Sequence, residues 1–234
     1  MRVLVTRPKD DAAETAATLK SLGHEVLIAP LLEIQFRAGA DLSLDGVQAV
    51  FVTSANGIRA LARRTNKRDI EILAVGAQSA ETARQVGFAN VRHADGDARA
   101  LADLVIANLK PENGALFHAA GAETRGRLAE TLSAQGFVIR SEVLYDAVAA
   151  KALPPTVQAA LAQGAVDAAL FFSPRTAQIF ADIAVREGLS DSCLTLGALC
   201  ISRATADELQ SLSFRQVQTA SRPDQNALLA LLKT

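Results

Sequence analysis

Short apolar runs rich in Val, Leu, Ile and Phe alternate with Ala-rich stretches along the whole chain. The runs include Val3-Leu4-Val5, Ala49-Val50-Phe51-Val52, Ile72-Leu73-Ala74-Val75, Ala115-Leu116-Phe117 and Ala168-Ala169-Leu170-Phe171-Phe172. A strand covered on both faces reads as a continuous apolar run. Strands that alternate with helical stretches predict parallel pairing through crossover helices. The chain is therefore expected to be α/β.

The pattern also occurs twice. Val3 to Val26, which contains Leu19-Lys20-Ser21-Leu22-Gly23, resembles Ala115 to Val138, which contains Leu132-Ser133-Ala134-Gln135-Gly136, and the two glycines lie 113 residues apart. Val52-Thr53-Ser54-Ala55-Asn56 then matches Phe171-Phe172-Ser173-Pro174-Arg175, with the serines 119 apart. Val75-Gly76-Ala77-Gln78-Ser79 matches Ile201-Ser202-Arg203-Ala204-Thr205, with Ser79 and Thr205 126 apart. Order is kept while the offset drifts, as expected of two copies that have gained small insertions. Each copy reads as strand, helix, strand and three further strand–helix units, which predicts a five-stranded doubly wound sheet of the flavodoxin-like kind. After the first helix of each copy comes an extended stretch of 13 residues, 24–36 and 137–149, about twice a typical strand. Two overlong strands at matched positions predict a two-stranded connector between domains, with Pro30 and Pro154-Pro155 as boundaries.

Composition narrows the function. The 234 residues are 50% hydrophobic and 21% charged, as in an ordinary globular protein. A formal net charge of −1 offers no global field for nucleic acid or an anionic membrane, and an aromatic content of 4% offers few stacking platforms. No run of about 18 apolar residues is present, so no membrane span is expected. Met1 to Pro8 reads as a first strand rather than a leader, which makes the cytoplasm the expected compartment. Cys193 and Cys200 lack metal-ligand or disulfide patterning, and His24, His93 and His118 lack metal-ligand spacing, so no metal is expected.

Ligands of doubly wound sheets bind beyond the carboxyl ends of the strands, where helix N-termini open. Four such loops are expected to face one cleft. They are Thr53-Ser54-Ala55-Asn56-Gly57, Gly76-Ala77-Gln78-Ser79, Ser173-Pro174-Arg175 and Ser202-Arg203-Ala204-Thr205. Helix capping explains each loop alone. Together their unpaired N–H groups, with Arg7, Arg125 and Arg175, suit a small polyanion. Gly121 to Gly126 has the glycine spacing of a phosphate-binding loop but continues Arg127-Leu128, so nucleotide hydrolysis is not supported. No dinucleotide fingerprint or G-x-S-x-G elbow occurs. His118 is expected at a strand end facing the cleft. Tyr145, the only tyrosine, falls opposite Leu32 in the repeat and hence in the connector. A phenol there can donate a proton or hydrogen bond to a leaving hydroxyl.

In order and in repetition, several segments resemble the uroporphyrinogen-III synthase family. They are Val3 to Pro8, Phe51 to Gly57, Ala74-Val75-Gly76 with Ser79-Ala80, Gly121 to Leu132 with Arg125, Val143-Leu144-Tyr145, Phe171 to Pro174 and Thr205-Ala206. The resemblance covers essentially the whole chain. It implies two flavodoxin-like doubly wound parallel-sheet domains joined by a two-stranded connector. The first domain would comprise 1–34 and 148–234, the second 38–145, and the connector 35–37 and 146–147. It implies an enzyme that needs no cofactor and closes hydroxymethylbilane, a linear tetrapyrrole with eight carboxylates, into uroporphyrinogen III with inversion of the last ring; nothing in the sequence demands more than a monomer. Tyr145 matches the family tyrosine held to assist hydroxyl departure, and Ser79 and Thr205 match its Ser/Thr positions lining the cleft. Ile201-Ser202-Arg203 departs from the glycine-rich turn common in the family, and Arg203 is the residue able to compensate. The competing reading is a non-catalytic two-lobed binding or sensor protein for a polyanion, with a flavoprotein as a further alternative.

Overall fold

The computed structural model describes residues 1–94, 97–123 and 127–233. In chain order the first copy runs β1 (Arg2–Val5), α1 (Lys9–Ser21), β2 (Glu25–Ile28), β3 (Leu32–Phe36), β4 (Val47–Val52), α2 (Ala55–Ala62), β5 (Glu71–Ala74), α3 (Ala77–Gln85), β6 (Val91–His93) and α4 (Ala98–Asn108). The second runs β7 (Ala115–Gly121), α5 (Leu128–Ala134), β8 (Ile139–Ala149), α6 (Pro155–Ala162), β9 (Ala168–Phe171), α7 (Pro174–Arg186), β10 (Gly197–Cys200), α8 (Arg203–Asp207), β11 (Gln216–Thr219) and α9 (Gln225–Ala230). The chain divides into two compact units, Met1–Glu33 with Val148–Thr234, and Ile34–Ala147.

The two copies exchange halves. The first unit has the sheet order β2-β1-β9-β10-β11, and the second has β8-β7-β4-β5-β6, with β3 added outside β8. Each sheet thus takes its first two strands from one copy and its next three from the other, and both read 2-1-3-4-5 in copy order, the flavodoxin-like arrangement. Pairs β1–β2, β1–β9, β9–β10 and β10–β11 are parallel, as are β4–β5, β4–β7, β5–β6 and β7–β8.

Alternate residues of each strand serve opposite faces. In the first unit, Val3, Val5, Leu170 and Leu199 pack with α1 and α9, while Leu4, Ala169, Phe171 and Ala198 pack with α6 and α7. In the second, Val50, Val52, Ile72 and Phe117 pack with α2 and α3, while Phe51, Leu73 and Leu116 pack with α4 and α5. Each fully buried Val, Leu, Ile or Phe among them contributes about 1.5–3 kcal/mol. Cys193 and Cys200 are free and buried in the core under α6 and α7, and burial pushes their thiols up to about 11 and about 12.

The glycine pair that revealed the repeat ends α1 and α5 identically. Gly23 and Gly136 have φ of +82° and +89°, where a side chain would be strained. The next N–H of each, from His24 and Phe137, returns to Leu19 and Leu132, closing a helix-ending turn that aims the chain into β2 or β8.

One expectation is corrected. The first overlong strand, 24–36, is two strands, β2 in one sheet and β3 in the other, separated at Ala29-Pro30-Leu31. Pro30 has no N–H for a ladder, so the strand breaks there. The second stretch does form one long strand, the 11-residue β8. Among the described residues no helix is long and apolar enough to cross a membrane.

Candidate functional site

In the second unit, Thr53 is exposed at the end of β4, and Ser54 caps α2 by accepting from Gly57 N at 3.3 Å. Asn56 is engaged locally, its Oδ1 accepting from Arg59 Nη1 at 3.0 Å. The hydroxyls of Ser54 and Tyr145 lie 2.8 Å apart. Tyr145 therefore belongs to β8, beside Gly121 of β7, rather than to a free connector.

Two local devices place that phenol. The β7–β8 register slips between Ala120 and Gly121, so that Ala120 faces Val143 while Gly121 faces Tyr145. A regular strand would send Leu144 and Tyr145 to opposite faces. With the bulge, both pack against the cluster under α2 and α3, as expected where an extra residue re-aims a side chain. Glycine then makes room. A Cβ on Gly121 would lie 2.7 Å from Tyr145 Cζ, and one on Gly57 would lie 2.7 Å from Ala119 O. The sequence signal for Gly121 was a glycine at a strand end, which marks close approach as readily as a phosphate loop.

Helix α3 begins differently. Its cap is Gly76, in extended conformation, with no side chain to take a helix N–H, and Ser79 is buried in its first turn. Among the described residues its first-turn N–H groups have no capping side chain, the condition for an anion to dock.

In the first unit, Ser173 caps α7 by accepting from Thr176 N, and Pro174 occupies the first helical position. Arg175 is half-buried. Ser202 caps the short α8, accepting from Thr205 N at 3.3 Å, and Thr205 is fully buried. The serine that departs from the family turn thus does the work of a cap. Arg203 is exposed and pairs with Asp207 at 3.0 Å.

Arg7 is 5% exposed. Its Nη1 donates to Gln225 Oε1 (2.7 Å) and Thr15 Oγ1 (3.2 Å), Nη2 lies 3.6 Å from Asp11 Oδ2, and the guanidinium stacks 4.3 Å above Phe172. Arg125 lies outside the described residues.

His118 is not at a strand end. It sits mid-strand in β7, buried and stacked on Phe51 at 4.5 Å, and its Nε2 has no partner among the described residues. Burial holds its pKa below the ordinary histidine value. The unfolded chain therefore binds a proton near pH 6.5 that the folded chain refuses, so stability is full above about pH 6.5 and falls as pH drops through the folded value. We expect His118→Phe to unfold with a flatter dependence on pH between about 7 and 5, read by thermal melts. An unchanged slope would contradict this assignment.

Among the described residues no group of three or more His, Cys, Asp or Glu could hold a metal ion. The strand-end loops of each unit offer hydroxyls and helix-start N–H groups, joined in the second unit by the Tyr145 phenol.

The family model described as uroporphyrinogen-III synthase HemD matches residues 13–230. A Methanocaldococcus jannaschii protein named "Putative uroporphyrinogen-III synthase" is 34% identical over 88 residues, which span 35% of this chain and 37% of that protein. Uroporphyrinogen-III synthetase from Helicobacter pylori has a similar fold, with a TM-score of 0.65 and 18% identity over 100% of this chain and 99% of that one. A mutant uroporphyrinogen III synthase from the extremely thermophilic bacterium Thermus thermophilus gives 0.56 and 19% identity, covering 100% and 97%.

Proposed function

The chain belongs to the uroporphyrinogen-III synthase family, since that family's model spans residues 13–230 of its 234, and from this premise we propose that it cyclises hydroxymethylbilane to uroporphyrinogen III. The family match carries the reaction. The reaction loses water without oxidation or reduction, so its balance calls for no redox partner. The terminal hydroxyl leaves with the C–O electron pair, the adjacent pyrrole N–H gives up its proton, and the sum is water and an azafulvene. The last ring attacks, rearranges through a spiro intermediate and closes inverted.

Tyr145 donates a hydrogen bond to the departing hydroxyl. In support, its phenol is fixed against the start of α2 by Ser54 and shaped by the β8 bulge and Gly121. In the second unit substrate carboxylates are met by helix-start N–H groups, above all those after Gly76, with Thr53 and Asn56 beside α2; the first unit offers Ser173 with Arg175 at α7. Ser79, Pro174 and Thr205 shape these turns, and Arg125, three residues before α5 in the sequence, supplies a further cation. Much of the catalysis is orientation, because the free substrate can also close without inversion.

Freshly generated hydroxymethylbilane supplied to the purified protein, followed by oxidation and chromatography, should give predominantly the type III isomer. Type I alone, at the uncatalysed rate, would overturn the proposal in favour of a binding protein.

A further inference from the structure

Among the described residues, the serine-capped strand-end loops of the two units differ in one respect. In α7 and α8 the capping serine pairs its hydroxyl with a threonine of its own helix, Ser173 with Thr176 and Ser202 with Thr205, each at 3.0 Å. In α2 the equivalent third helical position is Gly57, whose Cβ would strike Ala119 O. The partner hydroxyl there comes from another strand, 91 residues away, and it is Tyr145.

We propose that Ser54 is the positioning residue of Tyr145, and that it sets the direction of a hydrogen-bond relay running from Gly57 N–H through the Ser54 hydroxyl to the Tyr145 hydroxyl. The proposal deepens the reading of Tyr145 as the group that assists hydroxyl loss and rests on it. A serine hydroxyl has one proton and two lone pairs. One lone pair of Ser54 takes the Gly57 N–H. Its proton then donates to Tyr145 Oη, which turns the phenol proton toward the departing hydroxyl. Each donor in such a chain polarises the next, so the phenol becomes a stronger donor. The bond that breaks is the substrate C–O bond. Its electron pair leaves with oxygen, which ends as water, and the pyrrole N–H proton that is released as the azafulvene forms balances the one taken up. Thr176 and Thr205 cannot serve in this way, because each lies within the turn that its own serine caps. The departure of one copy from the repeat is thereby explained by a single asymmetric task.

The chain has one Tyr and no Trp, so phenolate absorbance reports Tyr145 alone. Ser54→Ala should raise the midpoint of that titration by about one pH unit, since a hydrogen bond to the phenolate is lost. Ser54→Gly, which keeps the helix start almost as well as serine, should do the same, and Ser54→Thr should restore the wild-type midpoint. With hydroxymethylbilane, Ser54→Ala should lower kcat about tenfold with little change in KM, and it should cost nothing further in a Tyr145→Phe background. A midpoint unmoved in both hydroxyl-less variants overturns the relay. A loss that persists without the tyrosine hydroxyl also overturns it, because Ser54 would then act on substrate directly. If Tyr145→Phe leaves type III formation unchanged, the premise fails and the proposal with it, and the titration separates that failure from failure of the relay.

Discussion

Gly121→Ala is expected to leave the second unit folded yet to lower type III formation by roughly 10²-fold, close to the effect of deleting the Tyr145 hydroxyl. The reason is where the added carbon goes. It would lie 2.7 Å from Tyr145 Cζ, 2.8 Å from its hydroxyl and 3.0 Å from Cε2, contacts that nothing tolerates without moving. What moves is the far end of a half-buried ring, not backbone, so the cost in stability stays within about 1 kcal/mol. The phenol, however, is displaced from Ser54 and from the departing hydroxyl, and a displacement of about 1 Å is enough for a loss of this size. Tyr145→Phe provides the reference, since it keeps the ring and removes only the oxygen. Both variants are assayed for type III product, with thermal unfolding alongside. Near-native rate in Gly121→Ala would show that the phenol's position against β7 is immaterial to the reaction.

Gly121 also shows where reading the sequence stops. The repeat was legible because its signals are local: a glycine in left-handed conformation after α1 and α5, a serine cap after β4 and β9, apolar runs for strands covered on both faces. These features are fixed by a few neighbouring residues, so two copies can be aligned without a structure. The break at Pro30 was harder to foresee. A proline at a boundary is equally consistent with a bend in one strand and with passage from one sheet to another, and the choice is made by which partners β2 and β3 find. The pairing of Ser54 with Tyr145 spans 91 positions, and no spacing rule reaches that far. His118 stands at the same limit. An apolar run containing one histidine gives no indication of whether the ring ends a strand or, as here, stacks on Phe51 inside the core. The serine in Ile201-Ser202-Arg203 looked like a departure from a family turn, while the structure makes it a cap equivalent to Ser173. Arg7 is the clearest case, because its surroundings come from both ends of the chain.

Arg7→Met is expected to lower the melting temperature by roughly 10 °C, a loss of about 3 kcal/mol, while leaving KM for hydroxymethylbilane nearly unchanged. From sequence, an arginine just beyond the first strand suits a substrate carboxylate. In the structure Arg7 lies against Asp11 and Thr15 of α1 and Gln225 of α9, 218 residues further on, and covers the Phe172 ring. Asp11 is itself buried, at 6% exposure, so removing the guanidinium weakens the compensation of a carboxylate that water does not reach. Met keeps the apolar stem and much of the length but loses the guanidinium stack on Phe172 along with the charge and the donors. Gln225→Ala removes one acceptor and should cost less, about 1 kcal/mol, and it should couple to Arg7→Met in a double-mutant cycle because the two share one hydrogen bond. Thermal unfolding and KM measured on the same preparations separate the two roles. A raised KM with an unchanged melting temperature would return Arg7 to the carboxylate contacts. A lowered melting temperature with KM intact makes it the clasp that holds the C-terminal helix to the first strand and helix of the same unit.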